Sequence, residues 1–309
     1  MKHASLIIFI WFRLALLAAH AGNISYTYLA QWGGQGTENG KFSFLSGIAI
    51  DKKGTLYSSD YSTERIQKFD LNGVYQTQWG GKKGQGHGQF HHALGVAVDA
   101  KGKVYVADTL NSLIQIFTSN GEFLTQWGGL GSEKGQLENP VALAFGPKGQ
   151  IYVLDASNNR VEVFSASGQY VSQWGSFGDQ PGQFNNPTGI ALDAKGNVYV
   201  GDTKNNRIEK FNHAGKFLAQ WGEKGAGNGQ LYSPEGLATD RNNHIIVADT
   251  ENHRIEVFNS EGAYLTHFGT AGDGNGEFQE PVAVAVDAEE NIYVSDLVSN
   301  RIQKFKLNQ

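Results

Sequence analysis

Phe44, His92, Asn139, Asn186, Ser233 and Glu280 stand 47 or 48 residues apart along the chain. A phenyl ring, an imidazole, two amides, a hydroxyl and a carboxylate gathered in one place could do two kinds of chemistry. Their oxygens could hold a hard divalent cation such as Ca²⁺ or Mg²⁺. They could equally hydrogen-bond a sugar or a peptide and stack against it. Two residues further along each unit stand Ser46, Leu94, Val141, Thr188, Glu235 and Val282. Only one carboxylate falls in each set, which is little charge for a tight cation site, and Phe44 favours an organic ligand. No cofactor is therefore required, and the one the set could accept is Ca²⁺ or Mg²⁺.

A third set is more uniform. Asp60, Asp108, Asp155, Asp202, Asp249 and Asp296 repeat on the same step. Five of them are followed five residues later by an arginine: Arg65, Arg160, Arg207, Arg254 and Arg301. In the second unit that place is taken by Leu113. Six carboxylates in a ring could ligate metal, but an arginine in register with five of them makes structural hairpin pairs of Asp60–Arg65, Asp155–Arg160, Asp202–Arg207, Asp249–Arg254 and Asp296–Arg301.

The elements that must position these residues are short strands. Between Gly182 and Gly222, turn residues such as Ala194-Lys195-Gly196-Asn197 alternate with runs such as Val198-Tyr199-Val200. Four strands fit in the unit, with no helical period. Trp32, Trp79, Trp127, Trp174, Trp221 and Phe268 mark six such units. A period of this length with four strands per unit predicts an all-β, six-bladed β-propeller of four-stranded antiparallel blades. The strand from Tyr26 to Trp32 has no first three strands before it, and the last unit ends after its third. The N-terminal strand is therefore expected to complete the last blade. Glycine-rich linkers after each Trp cross to the next inner strand. Each inner strand carries a small residue (Ala49, Ala97, Ala144, Ala191, Ala238, Ala285), as crowding near the axis demands.

Composition narrows the function. There are no cysteines, hence no disulfide and no thiolate metal site. Residues 1–21 place Lys2 before an apolar stretch and end in Ala19-His20-Ala21, the pattern of a cleavable signal peptide. Arg13 within the stretch argues against a retained anchor. The domains are thus a signal peptide, 1–21, and a propeller, 22–309, with no membrane span after cleavage and a secreted, periplasmic or cell-surface location. The mature chain keeps 23 basic and 30 acidic side chains, a net charge of −7, which gives no footprint for nucleic acid.

Val200-Gly201-Asp202-Thr203-Lys204-Asn205-Asn206-Arg207-Ile208, preceded by Gly196-Asn197-Val198-Tyr199, resembles the NHL repeat. So do Asn158-Asn159-Arg160-Val161, Asn252-His253-Arg254-Ile255 and Asn300-Arg301-Ile302. The resemblance implies a propeller and leaves the activity open, since NHL-type chains include RNA-binding proteins, kinase sensor domains and a zinc-dependent peptide-amidating lyase. That lyase presents three histidines to zinc, whereas only His92 occupies a mouth position here. The expected function is a non-catalytic binding scaffold, a monomeric propeller taking a protein, peptide or glycan at the channel mouth. The alternative is a metal-dependent lyase or hydrolase with its cation in the same place.

Overall fold

The structure, a computed structural model, describes residues 24–308. The signal-peptide reading of residues 1–21 lies outside the described residues. The chain forms six four-stranded antiparallel sheets. The first blade runs outward from Leu45–Ile50 through Thr55–Asp60 and Arg65–Asp70 to Tyr75–Gly80. Blades two to five repeat this order. The sixth consists of Pro281–Val286, Ile292–Asp296 and Arg301–Asn308, and its outer strand is the N-terminal Ser25–Gly33. Tyr26 pairs with Leu307 and Trp32 with Ile302, which closes the ring as the strand count requires. Three one-turn 3₁₀ segments, Thr109–Asn111, Thr203–Asn205 and Thr250–Asn252, are the helical pieces among the described residues.

Burial follows position in the blade. The second strand is covered on both faces, so Val198–Asp202 is buried throughout and is rich in β-branched residues. The outer strand alternates, as Phe217–Trp221 does, because one face meets solvent. The core lies between blades rather than within them. Ile190, Val198 and Val200 of blade four, for example, pack with Tyr152, Leu154 and Val161 of blade three.

The tryptophans are the wedges in these seams. A Cβ on Gly215, in the third turn of blade four, would stand 2.6 Å from the ring of Trp174 in blade three. The indole therefore lies flat on backbone that must be glycine, here at a φ of +80°. The same contact joins Trp79 to Gly121 and Trp221 to Gly262. At the sixth seam the blade has no third turn, because its outer strand comes from the N-terminus. There the smaller Phe268 packs on Tyr26 with ring centroids 4.7 Å apart. The one departure from the tryptophan repeat is thus the mark of the closure.

Near the axis the inner strands crowd two residues earlier than the alanine ring. A Cβ on Gly95 would come within 2.5 Å of the Val141 carbonyl oxygen, and one on Gly236 within 2.5 Å of that of Val282. Ala97, Ala191 and Ala285 are themselves buried, so both small sets are used.

The channel mouth as candidate functional site

Each inner strand begins where the second strand of its blade ends, with Leu45 paired to Asp60 and Pro234 to Asp249. The linkers into the blades and the loops carrying the Asp–Arg positions therefore share one face of the ring. On that face opens a central cavity of about 400 Å³. Its wall is the ring Ser46, Leu94, Val141, Thr188, Glu235 and Val282, backed by the residues that follow, with Phe44, Tyr61 and Leu297 at the rim.

Of the first ring read from the sequence, Phe44 lines this cavity, as does Glu235, the one carboxylate of the second set. His92, Asn139, Asn186, Ser233 and Glu280 do not. The reason is backbone geometry. His92, Asn139, Asn186 and Ser233 are left-handed, with φ between 50° and 63°, and three of them lace neighbouring blades together. The N–H of His92 donates to Glu64 Oε2 at 2.6 Å, that of Asn186 to Asn159 Oδ1 at 2.9 Å and that of Ser233 to Asn206 Oδ1 at 3.0 Å. Asn139 Nδ2 donates to Ser157 Oγ at 2.7 Å. Glu280 is exposed on the rim, and its N–H goes to Asp296. The set that faces the axis is the one two residues deeper. Strand periodicity gives the same face to residues two apart; the left-handed step in front of the strand breaks that rule, and no residue type announces it.

The Asp–Arg positions are structural, with a geometry richer than a cross-strand pair. Asp202 accepts the Asn185 N–H at 2.7 Å on one oxygen, and Asn205 Nδ2 and Arg207 Nε at 2.7 and 2.8 Å on the other. Arg207 also donates to the linker carbonyls of Asp179 and Gln183 at 2.6 and 2.8 Å, and its Nη2 lies 2.8 Å from Glu209 Oε1. Asp155–Arg160 and Asp249–Arg254 repeat this at 2.9 and 2.8 Å. The first and last units differ. Asp296 and Arg301 are 4.0 Å apart, and Asp60 makes no ion pair with Arg65 although the two face each other in register. Where blades three to five have Asn three residues after the Asp, these two have Thr63 and Ser299. Without an amide to hold it, the Asp60 carboxylate turns to the N–H groups of Ser43, Phe44, Ser62 and Thr63. In blade two Gln115 Nε2 reaches Asp108 at 2.8 Å and fills the place that Leu113 leaves.

Glu235 is the chemical centre of the cavity. It is the only charged side chain in the cavity wall among the described residues. Its half-buried carboxyl has no hydrogen-bonding partner among the described residues, and burial, with the charge of Glu280 second, pushes it up to about 7. Around it stand Val282, Val141, Leu94 and Leu237, with Thr188 and Ser46 the hydroxyls of the ring. At the rim Phe44 meets Tyr61 edge-on at 5.4 Å, and Tyr61 meets His92 at 4.3 Å. Among the described residues no three His, Cys, Asp or Glu side chains gather as a metal centre would require.

A closed six-bladed propeller with an open channel mouth is the class this geometry defines. The NHL repeat family model matches residues 90–117, 137–164, 184–211 and 231–258, so the chain carries four NHL repeats. No curated protein matches it in sequence. Among solved structures it is similar to a protein of unknown function from Bacteroides thetaiotaomicron, with a TM-score of 0.71 and 17% identity over 92% of this chain and 76% of that one. It is also similar to a gluconolactonase from Xanthomonas campestris, with a TM-score of 0.65 and 17% identity over 95% and 93% of the two chains. A streptogramin B lyase gives a TM-score of 0.62 and 12% identity over 93% and 98%. At these identities the likeness is one of fold.

Proposed function

We propose that this chain is an exported, non-catalytic binding scaffold whose channel mouth takes up a protein or peptide ligand. The observation that carries this reading is the cavity itself: about 400 Å³, walled mainly by aliphatic side chains and rimmed by aromatic ones. A pocket of that size and lining suits a side chain or chain end better than a hydrated sugar. The surface around it is consistent. Of eleven exposed large hydrophobic side chains among the described residues, six (Phe44, Leu110, Leu130, Phe177, Tyr232 and Val298) stand in loops of the mouth face. Apolar groups concentrated on one face of a chain mark an interaction surface. The metal-dependent alternative has one carboxylate in the cavity to offer. Export rests on the signal-like residues 1–21.

The test is retention on immobilised random peptides and on a glycan panel, comparing the parent with a Phe44→Ala, Tyr61→Ala variant. Peptide retention that falls about tenfold in the variant, the loss of roughly 1.4 kcal/mol, is the expected result. Equal retention by both would place the ligand elsewhere, and hydrolysis or elimination of any retained ligand would overturn the non-catalytic reading.

A further inference from the structure

We propose that Glu235 is the receptor for a basic side chain, so that the mouth selects an extended peptide segment that inserts a lysine or arginine into the channel. The inference rests on the peptide reading of the mouth and adds to it the chemistry of the inserted residue.

The geometry is that of a socket with one charged contact at depth. Glu235 is the second residue of the inner strand Pro234–Thr239, two residues past the left-handed Ser233. Two residues of strand span about 6.5 Å, so a group reaching Glu235 from the rim needs a long stem. Lysine and arginine have such stems, and their methylenes are compatible with apolar walls while the head stays polar. Leu94, Val141 and Val282 would take the stem. Ser46 and Thr188 are the neutral hydrogen-bonding side chains at the same level. Ser46 Oγ is engaged with the carbonyls of Ser59 and Ala93, and the Thr188 hydroxyl with that of Thr203 at 2.7 Å. That leaves the Glu235 carboxylate as the one charged acceptor at that level among the described residues.

A half-buried carboxylate among apolar walls is poorly solvated, and a cation offsets that. The charges that reach Glu235 are Glu280 from the loop before the sixth blade, Glu251 in a loop of its own blade, and Lys204 on blade four. Two are acidic and one basic, so the field at the mouth favours a cation over an anion. Burial keeps the empty carboxyl partly protonated at neutral pH. Binding a cation must therefore displace that proton, and affinity should rise as pH increases from 6 to 8.

The experiment uses the mature chain, its Glu235→Gln variant and an immobilised random hexapeptide library, followed by calorimetry with Ac-Phe-Lys-Phe-NH₂ and its norleucine counterpart. The parent should enrich Lys or Arg at one position. It should bind the lysine peptide about ten- to a hundredfold more tightly than the norleucine peptide, the span of a hydrogen bond to a charged group. Glu235→Gln should erase that difference while keeping its affinity for norleucine, and Glu235→Asp should retain part of it. Library retention without Lys or Arg enrichment would overturn this inference and leave the peptide reading standing. No retention at all would overturn both. An unchanged lysine preference in Glu235→Gln, in a variant that melts like the parent, would place the acidic contact on another residue.

Discussion

At the scale of single residues the most telling contrast lies seven positions after the repeated aspartate. Blades one, two and six have Gln67, Gln115 and Gln303 there, and blades three, four and five have Glu162, Glu209 and Glu256, all fully buried. Both residue types accept an N–H from the linker: Gly40 donates to Gln67 at 2.8 Å and Gly182 to Glu209 at 2.9 Å. The glutamines also donate, through Nε2, to the carbonyls of Lys41, Gln89 and Glu277 at 2.7 to 2.8 Å. A carboxylate cannot donate; one oxygen of Glu162 and one of Glu256 make no hydrogen bond, and Glu209 Oε1 has the Arg207 guanidinium beside it at 2.8 Å. Burial pushes each of these carboxyls up to about 7, against the pull of its arginine. Each arginine faces two carboxyls, such as Asp202 and Glu209 around Arg207, so one proton retained between them balances the charge. The folded chain then holds protons that the unfolded chain releases between about pH 4.5 and 7. Stability from these groups is full below that window, falls through it and levels off above. Replacing all three glutamates by glutamine should flatten the fall in melting temperature between pH 5 and pH 8 and raise it at pH 8. An equally steep fall in the triple variant would show that the titrating groups lie elsewhere.

At the scale of elements, the seams between blades carry the stability, and each depends on what its neighbour's turn presents. Five seams pair an indole with a glycine turn; the sixth pairs Phe268 with Tyr26 and Phe305, at 4.7 and 4.8 Å. Restoring the repeat there should therefore do harm. Phe268→Trp inserts a larger ring where no glycine makes room and is expected to cost about 1 to 3 kcal/mol by overpacking. Adding Tyr26→Ala should recover part of that loss, although Tyr26→Ala alone destabilises. Calorimetric melts of the two single variants and the double give the coupling; additive losses would mean that the two rings do not compete for one space. A glycine seam should respond in the opposite sense to size. Gly215→Ala places a methyl group against the Trp174 ring at a φ that disfavours any side chain, and a loss of about 2 kcal/mol or more is expected.

For the whole molecule, the repeat made the architecture legible because every unit restates the same strands, turns and wedges. Phe268, Leu113 and the unpaired strand after residue 24 were visible as departures, and each proves to have a local cause. The lining of the channel was only partly legible. Phe44 and Glu235 could be placed at the axis, but the left-handed step at His92, Asn139, Asn186 and Ser233 turns on backbone dihedrals that different residue types share. The surroundings of Glu235 also come from the five other blades, which no stretch of sequence displays. Closure is where sequence and architecture meet. Ser25–Gly33 makes a ladder along the whole of Arg301–Asn308, from Ser25 opposite Asn308 to Gly33 opposite Arg301. Arg301 Nη1 reaches back to Gln31 Oε1 at 2.9 Å, and Asn300 Nδ2 to Gln35 Oε1 at 2.7 Å. Removing Tyr26 to Trp32 would uncover the last eight-residue strand as an open edge and strip Tyr26 from the Phe268 seam, as well as Trp32 from the Gly73 turn of blade one. Both neighbours of the final blade are then loosened. Exposed edges pair with other chains, so the truncated protein should melt well below the chain that keeps this strand and form soluble oligomers or aggregate on size-exclusion chromatography. Adding a synthetic peptide spanning residues 24–35 should restore the monomer, since the missing strand is continuous and supplies its own ladder. A truncated chain that stays monomeric with an unchanged melt would mean that the five complete blades hold the ring closed without the N-terminal strand.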